Sequence, residues 1–94
     1  MNEVQIAADL WNVLDQVDGL SANDVENIIV LIRVGEWKIA LETICTQIYE
    51  YDLETKVSVR EDLIRLGHVL QTPAAYLLGD PWADPNERGD SSPD

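Results

Sequence analysis

The chain has 94 residues, 18 of them acidic and 6 basic, for a formal net charge of −12. That length allows one domain, and the charge repels both a nucleic-acid backbone and an anionic membrane surface. One cysteine and one histidine exclude an internal disulfide, a two-cysteine metal site and a histidine pair for zinc, so no metal and no cofactor are expected.

No targeting signal is expected. Met1-Asn2-Glu3-Val4 lacks a basic region leading into an apolar run. The longest apolar stretch, Ile28 to Ile32, is five residues, against roughly 20 for a membrane span. With Cys45 unpaired, the expected compartment is the cytoplasm.

The first segment, about Asn2 to Val17, places Ile6, Leu10, Val13, Leu14 and Val17 at helical spacing, with Trp11 beside them. Gly19 suits the position after the helix end. The second segment opens at Asn23 or Ser21, with Asn23 and Glu26 at capping-box spacing. Its run from Ile28 to Ile32 also suits a buried strand, but the capping signal and Gly35 as a stop favour a helix. A helix apolar nearly all round is expected to be the most buried one.

The third segment, Glu36 to about Tyr51, carries one stripe of Trp37, Leu41, Ile44, Ile48 and Tyr51, supported by Ala40 and Cys45. Glu36 falls in its first turn, and Glu42, Thr46, Tyr49 and Glu50 lie opposite the stripe. A fourth helix starts with Ser58 and Glu61 as a second capping box, and Leu63, Ile64, Leu66, Val69 and Leu70 supply its apolar positions. Glu61 and Arg65 sit at i and i+4 in the favourable order. Thr72-Pro73 reads as an N-cap and first helical position, opening a short helix that ends at Gly79. From Asp80 the chain turns acidic and Pro/Gly/Ser-containing, and a mobile tail is expected unless Trp82 docks. The expected fold is therefore all-α: a compact bundle of four helices plus a short C-terminal helix, with one helical domain over 1–79 and an acidic tail over 80–94.

Charge is unevenly placed. Residues 1–32 carry −6 with no base, residues 33–65 carry −2, and residues 66–94 carry −4. Little in the sequence supports catalysis. Cys45 lies among apolar and acidic residues, the opposite of what a reactive thiolate needs. His68, near the end of the fourth helix, suits a capping or surface role. Carboxylate pairs are so frequent in this chain that none is informative, and no phosphate loop, HExxH or EF-hand spacing occurs. No enzyme is expected.

The most distinctive stretch ends in Tyr49-Glu50-Tyr51-Asp52, two tyrosines and two acids at a helix C-terminus, where the dipole disfavours anions. A local cost of this kind often serves another purpose, and tyrosine offers broad contact area at low entropic cost. Core packing of Tyr51, with Tyr49 covering a neighbouring helix, fits the residues equally well.

The order Gly35-Glu36-Trp37, Ala40-Leu41-Glu42, Cys45, Tyr49-Glu50-Tyr51-Asp52, then a Ser-initiated acidic helix, resembles the MafI-type bacterial immunity proteins. The resemblance covers roughly Val25 to Leu70; the extension from Thr72 to Asp94 lies outside it. It implies a small acidic helical protein that neutralises a cognate polymorphic toxin, often a nuclease. The expected partner is then a toxin with a basic surface, bound by stoichiometric occlusion. The candidate contacts are Glu42, Tyr49, Glu50, Asp52 and Glu54, with Asp9, Asn12, Asp15 and Asp18 as an alternative face. A helical adaptor that holds a partner helix in an apolar groove is the alternative reading. Trp11, Trp37 and the Ile28–Ile32 run offer a homodimer face.

Overall fold

The computed structural model describes residues 2–80, all helix and connection, with no strand among them. The expected acidic tail lies, from residue 81 on, outside the described residues. Five helices follow one another: α1 (Glu3–Gln16), α2 (Ala22–Arg33), α3 (Trp37–Glu50), α4 (Val57–Leu70) and the short α5 (Ala74–Leu77). The all-α bundle of four helices with a short fifth is as the periodicity predicts. No helix among the described residues is long and apolar enough to cross a membrane.

Helix α3 is the centre of the bundle and packs against each of the other four. Its Ala40, Leu41, Ile44 and Cys45 are completely buried and Ile48 nearly so. They meet Leu10 and Val13 of α1, Ile28 and Ile32 of α2, and Val59, Leu63 and Leu66 of α4 in one continuous core. Burying a side chain of this size stabilises the fold by about 1.5–3 kcal/mol, which is why the stripe residues set the helix orientations.

The expectation that α2 is the most buried helix is overturned. Only Ile28, Ile32 and Asp24 are buried there, and Val30 is 56% exposed. A β-branched run says that a segment is apolar, but α2 lies at the edge of the bundle and has just one face to bury. Val30, Val34 and Ile39 are left in solvent.

Helix starts and stops differ from the spacing in instructive ways. Asn2 caps α1, its side-chain oxygen accepting from the Gln5 N–H at 2.8 Å. Ser21, not Asn23, caps α2: its hydroxyl accepts from the Asp24 N–H at 3.0 Å, so the Asn23–Glu26 box does not form. The Ser58–Glu61 box is also absent, because α4 begins one residue before Ser58, with Lys56 in the cap position. Glu36 occupies the cap position of α3 and makes no side-chain capping bond, and α1 closes at Val17, two residues before Gly19. At α5 the cap position is Pro73; the buried Thr72 turns its hydroxyl back toward the Leu70 carbonyl, at 3.5 Å. Capping spacing is common in polar sequence, and the register of the buried stripe decides which candidate is used.

Two tertiary ties replace expected local ones. Arg65 does not pair with Glu61. It bridges Asp62 on its own helix and Asp9 on α1, each at 3.0 Å. The Trp37 indole N–H donates to the Ile32 carbonyl at 3.2 Å, pinning the start of α3 to the end of α2.

Candidate functional site

The outer face of α3 follows directly from its inner face. With Leu41, Ile44, Cys45 and Ile48 turned into the core, helical geometry leaves Glu42, Thr46, Tyr49 and Glu50 pointing outward. Three linked hollows run along this face. A shallow one of about 250 Å³ is lined by Glu42, Thr43, Thr46 and Gln47. Thr46 also borders a second, of about 410 Å³, whose other walls are Tyr49, Tyr76, Leu77, Gly79 and Asp80. Tyr49 is in turn the partition to a third of about 490 Å³, which includes Glu50, Asp52, Thr55, Arg60 and Leu78.

The structure therefore brings Glu42, Tyr49, Glu50 and Asp52 to one set of concavities. Glu54 is exposed close by and lines none of the three. Tyr76, Asp80 and Arg60 were not anticipated. They reach the face only because α5 folds back onto α3 and α4 passes beside it. Gly79 was legible as a helix stop, but its second role was not: a Cβ built there would lie 2.6 Å from two ring atoms of Tyr49. The Tyr49 ring rests directly on the Gly79 backbone, so the tyrosine is braced although 59% exposed.

The acidic end of α3 has a geometric explanation. The Leu53 N–H donates to the Ile48 carbonyl (2.9 Å) and the Asp52 N–H to the Tyr49 carbonyl (3.1 Å). These are the two bonds of a Schellman stop, with Asp52 in the left-handed position, φ +52°. The same pair of bonds ends α2 around Gly35 and α5 around Gly79. Glycine takes that conformation freely, whereas aspartate is among the few other residues that tolerate it. The turn throws Asp52 outward to the rim of the third hollow.

Tyr51 is not core, contrary to its place in the predicted stripe. It is 49% exposed, and its hydroxyl donates to Asp24 Oδ2 at 3.0 Å. The Gln47 amide donates to Asp24 Oδ1 at 3.0 Å. Asp24 is thus a buried acid with a full set of donors, joining the N-terminal turn of α2 to the last turn of α3. The Ser21 hydroxyl, then the Gln47 amide, hold its carboxyl below the ordinary aspartate range against the opposing effect of burial, with Tyr51 adding to the same direction. The bond to Asp24, and then its charge, push the Tyr51 phenol above the ordinary tyrosine range. This tie fixes the helix that carries Tyr49 and Glu50.

The alternative face on α1 is partly committed. Asp9 accepts from Gln5 and from Arg65, both at 3.0 Å. Asn12, Asp15 and Asp18 are exposed and border none of the three hollows. Cys45 is sealed in the core, and burial pushes its thiol up to about 12, so it is not a thiolate at neutral pH. Among the described residues no group of three His, Cys, Asp or Glu side chains is gathered to hold a metal ion. In comparisons with known proteins, no family model, no curated protein and no solved structure matches this chain.

Proposed function

We propose that this chain is an immunity protein that binds a cognate toxin through the outer face of α3 and blocks it stoichiometrically. The observation that carries the reading is the convergence of Glu42, Tyr49, Glu50 and Asp52 on linked concavities of a rigid helix. A braced aromatic ring at the centre of a concave, acid-rimmed face suits a binding hot spot. A nuclease must hold phosphates with basic residues, and the net charge of −12 steers such a surface toward this one. The resemblance of the α2–α4 region to MafI-type immunity proteins supports the same partner class. Binding of this kind needs no turnover, no metal and no cofactor, and it places the protein in the cytoplasm, where an incoming toxin would act.

The test is to look for a toxin domain among the genes flanking this one, co-express it with this chain, and measure the affinity of the purified pair. Replacing Tyr49 and Glu50 together by alanine should cost roughly 2–4 kcal/mol of binding, a thirtyfold to thousandfold loss, while leaving the fold intact. Unchanged affinity would remove this face as the interface.

The alternative, a helical adaptor unrelated to toxins, is favoured by one observation: Val30, Val34 and Ile39 leave apolar surface exposed around the α2–α3 turn. Salt separates the two. A steered inhibitor loses association rate as salt rises, and a groove binder does not.

A further inference from the structure

The second hollow along α3 differs from its neighbours in kind. Two of its walls are tyrosines, Tyr49 at 59% and Tyr76 at 47% exposure, and they come from helices far apart in sequence. Leu77 and Thr46 complete the sides, and Asp80 contributes a carboxyl group. None of the residues lining it is basic, whereas the third hollow contains Arg60. A cation entering the third hollow meets Arg60 beside Glu50 and Asp52; one entering the second meets two aromatic rings and an acid with no base.

From this we infer that the hollow between Tyr49 and Tyr76 receives an arginine side chain of the protein partner. The inference rests on the outer face of α3 being the partner surface. Aromatic faces attract cations through their quadrupole. Arginine suits such walls better than lysine, because its guanidinium is planar, weakly hydrated and able to stack while its N–H groups reach a carboxylate. The volume, about 410 Å³, admits a guanidinium with its aliphatic stem against Leu77. The overall charge of −12 makes a cation the favoured occupant over an apolar side chain from a neutral partner. Gly79 gives the hollow its depth: any larger residue there would push Tyr49 out of line.

The experiment is a titration of the full-length protein with N-acetyl-arginine amide, read by amide ¹H–¹⁵N shifts at low salt. N-acetyl-citrulline amide, equal in shape and uncharged, is the control. The expected result is a saturable response to arginine, up to roughly 100 mM ligand, confined to Thr46, Tyr49, Tyr76, Leu77, Gly79 and Asp80, with little response to citrulline. Tyr76→Ala should weaken that response roughly threefold or more, and the spectrum itself reports whether the variant is folded. Asp80→Asn should weaken it in the same direction. Four results would overturn the proposal: no response, equal response to citrulline, shifts spread over the acidic residues of α1, or shifts that follow protein concentration and so place a second copy in the hollow. The toxin is not needed for this measurement. A chain that protects against its toxin but ignores arginine keeps the immunity reading and loses the pocket; a chain that binds arginine locally but protects against nothing does the reverse.

Discussion

Helix α1 and the outer face of α3 both hold carboxylates up to solvent, and they differ in everything around those groups. On α1, Asp9 is already bonded to Gln5 and Arg65, and the exposed Asp15 and Asp18 line none of the three hollows. On α3 the acids Glu42, Glu50 and Asp52 rim hollows that share the walls Thr46 and Tyr49. Residues 1–32 hold six acids and no base, yet Asp9 is paired with Arg65 and no acid of α1 lines any of the three hollows. Charge draws a partner from a distance, but an anchor needs a cavity and a side chain that is already held. If the proposed function holds, the contrast assigns steering to α1 and docking to α3.

The most severe way to break that contrast is the Tyr49→Ala, Glu50→Ala pair. It should raise the dissociation rate of the complex by at least tenfold, measured by surface plasmon resonance. An equal effect from Asp15→Asn with Asp18→Asn would show that the two faces do not divide the work. Gly79→Ala comes next. The new methyl meets the Tyr49 ring and must adopt φ +96°, so the fold should lose about 1–3 kcal/mol in urea denaturation, and partner affinity should fall with it. If affinity held while stability dropped, the bracing of Tyr49 would be irrelevant to binding.

Asp52→Gly sharpens the comparison from the other direction. Glycine relieves the left-handed strain at φ +52°, so unfolding should cost about 0.5–1 kcal/mol more. The same change should weaken the complex by removing a rim carboxylate. A variant more stable and weaker in binding is the signature of an acid retained for function.

The Asp24 tie gives a pH prediction. Its carboxyl titrates lower in the folded state than the ordinary aspartate value of 3.8, so the folded protein binds fewer protons than the unfolded chain in that region. The resulting stability is present above about pH 4 and is lost as pH falls through the lower, folded value. Thermal melts from pH 6 downward should show this loss in the parent and a flatter profile in Asp24→Asn. Identical profiles would remove Asp24 as a contributor to acid unfolding. The smallest effect belongs to α1. Asp15→Asn with Asp18→Asn should slow association severalfold at low salt, with dissociation and stability unchanged within about 0.5 kcal/mol.

How far the sequence could be read depends on the element. The stripe Leu41, Ile44, Ile48 located α3 and its two faces, because helical periodicity is a local property of the chain. Tyr51 belongs to that stripe by spacing and still lies half in solvent, because Asp24 offers its hydroxyl a partner at the surface. The run in α2 was apolar enough to be central, yet a segment's depth depends on which neighbours cover it, and α2 lies at an edge. Tyr76 carried no signal at all: nothing in a four-residue helix at the end of the described chain announces that it will wall a hollow with Tyr49.

The sequence by itself determined the class of this protein: helices from periodicity, an acidic exterior from composition, and an outward Tyr-acid face on α3 from the phase of its buried stripe. Each of these is fixed by residues a few positions apart or by a sum over the whole chain. The tertiary structure alone decided which acids sit beside a cavity, which capping residue is used, and that α5 returns to seat Gly79 beneath Tyr49. Those outcomes depend on contacts between residues tens of positions apart. Such contacts form where packing the core leaves helices side by side, and no local pattern records that.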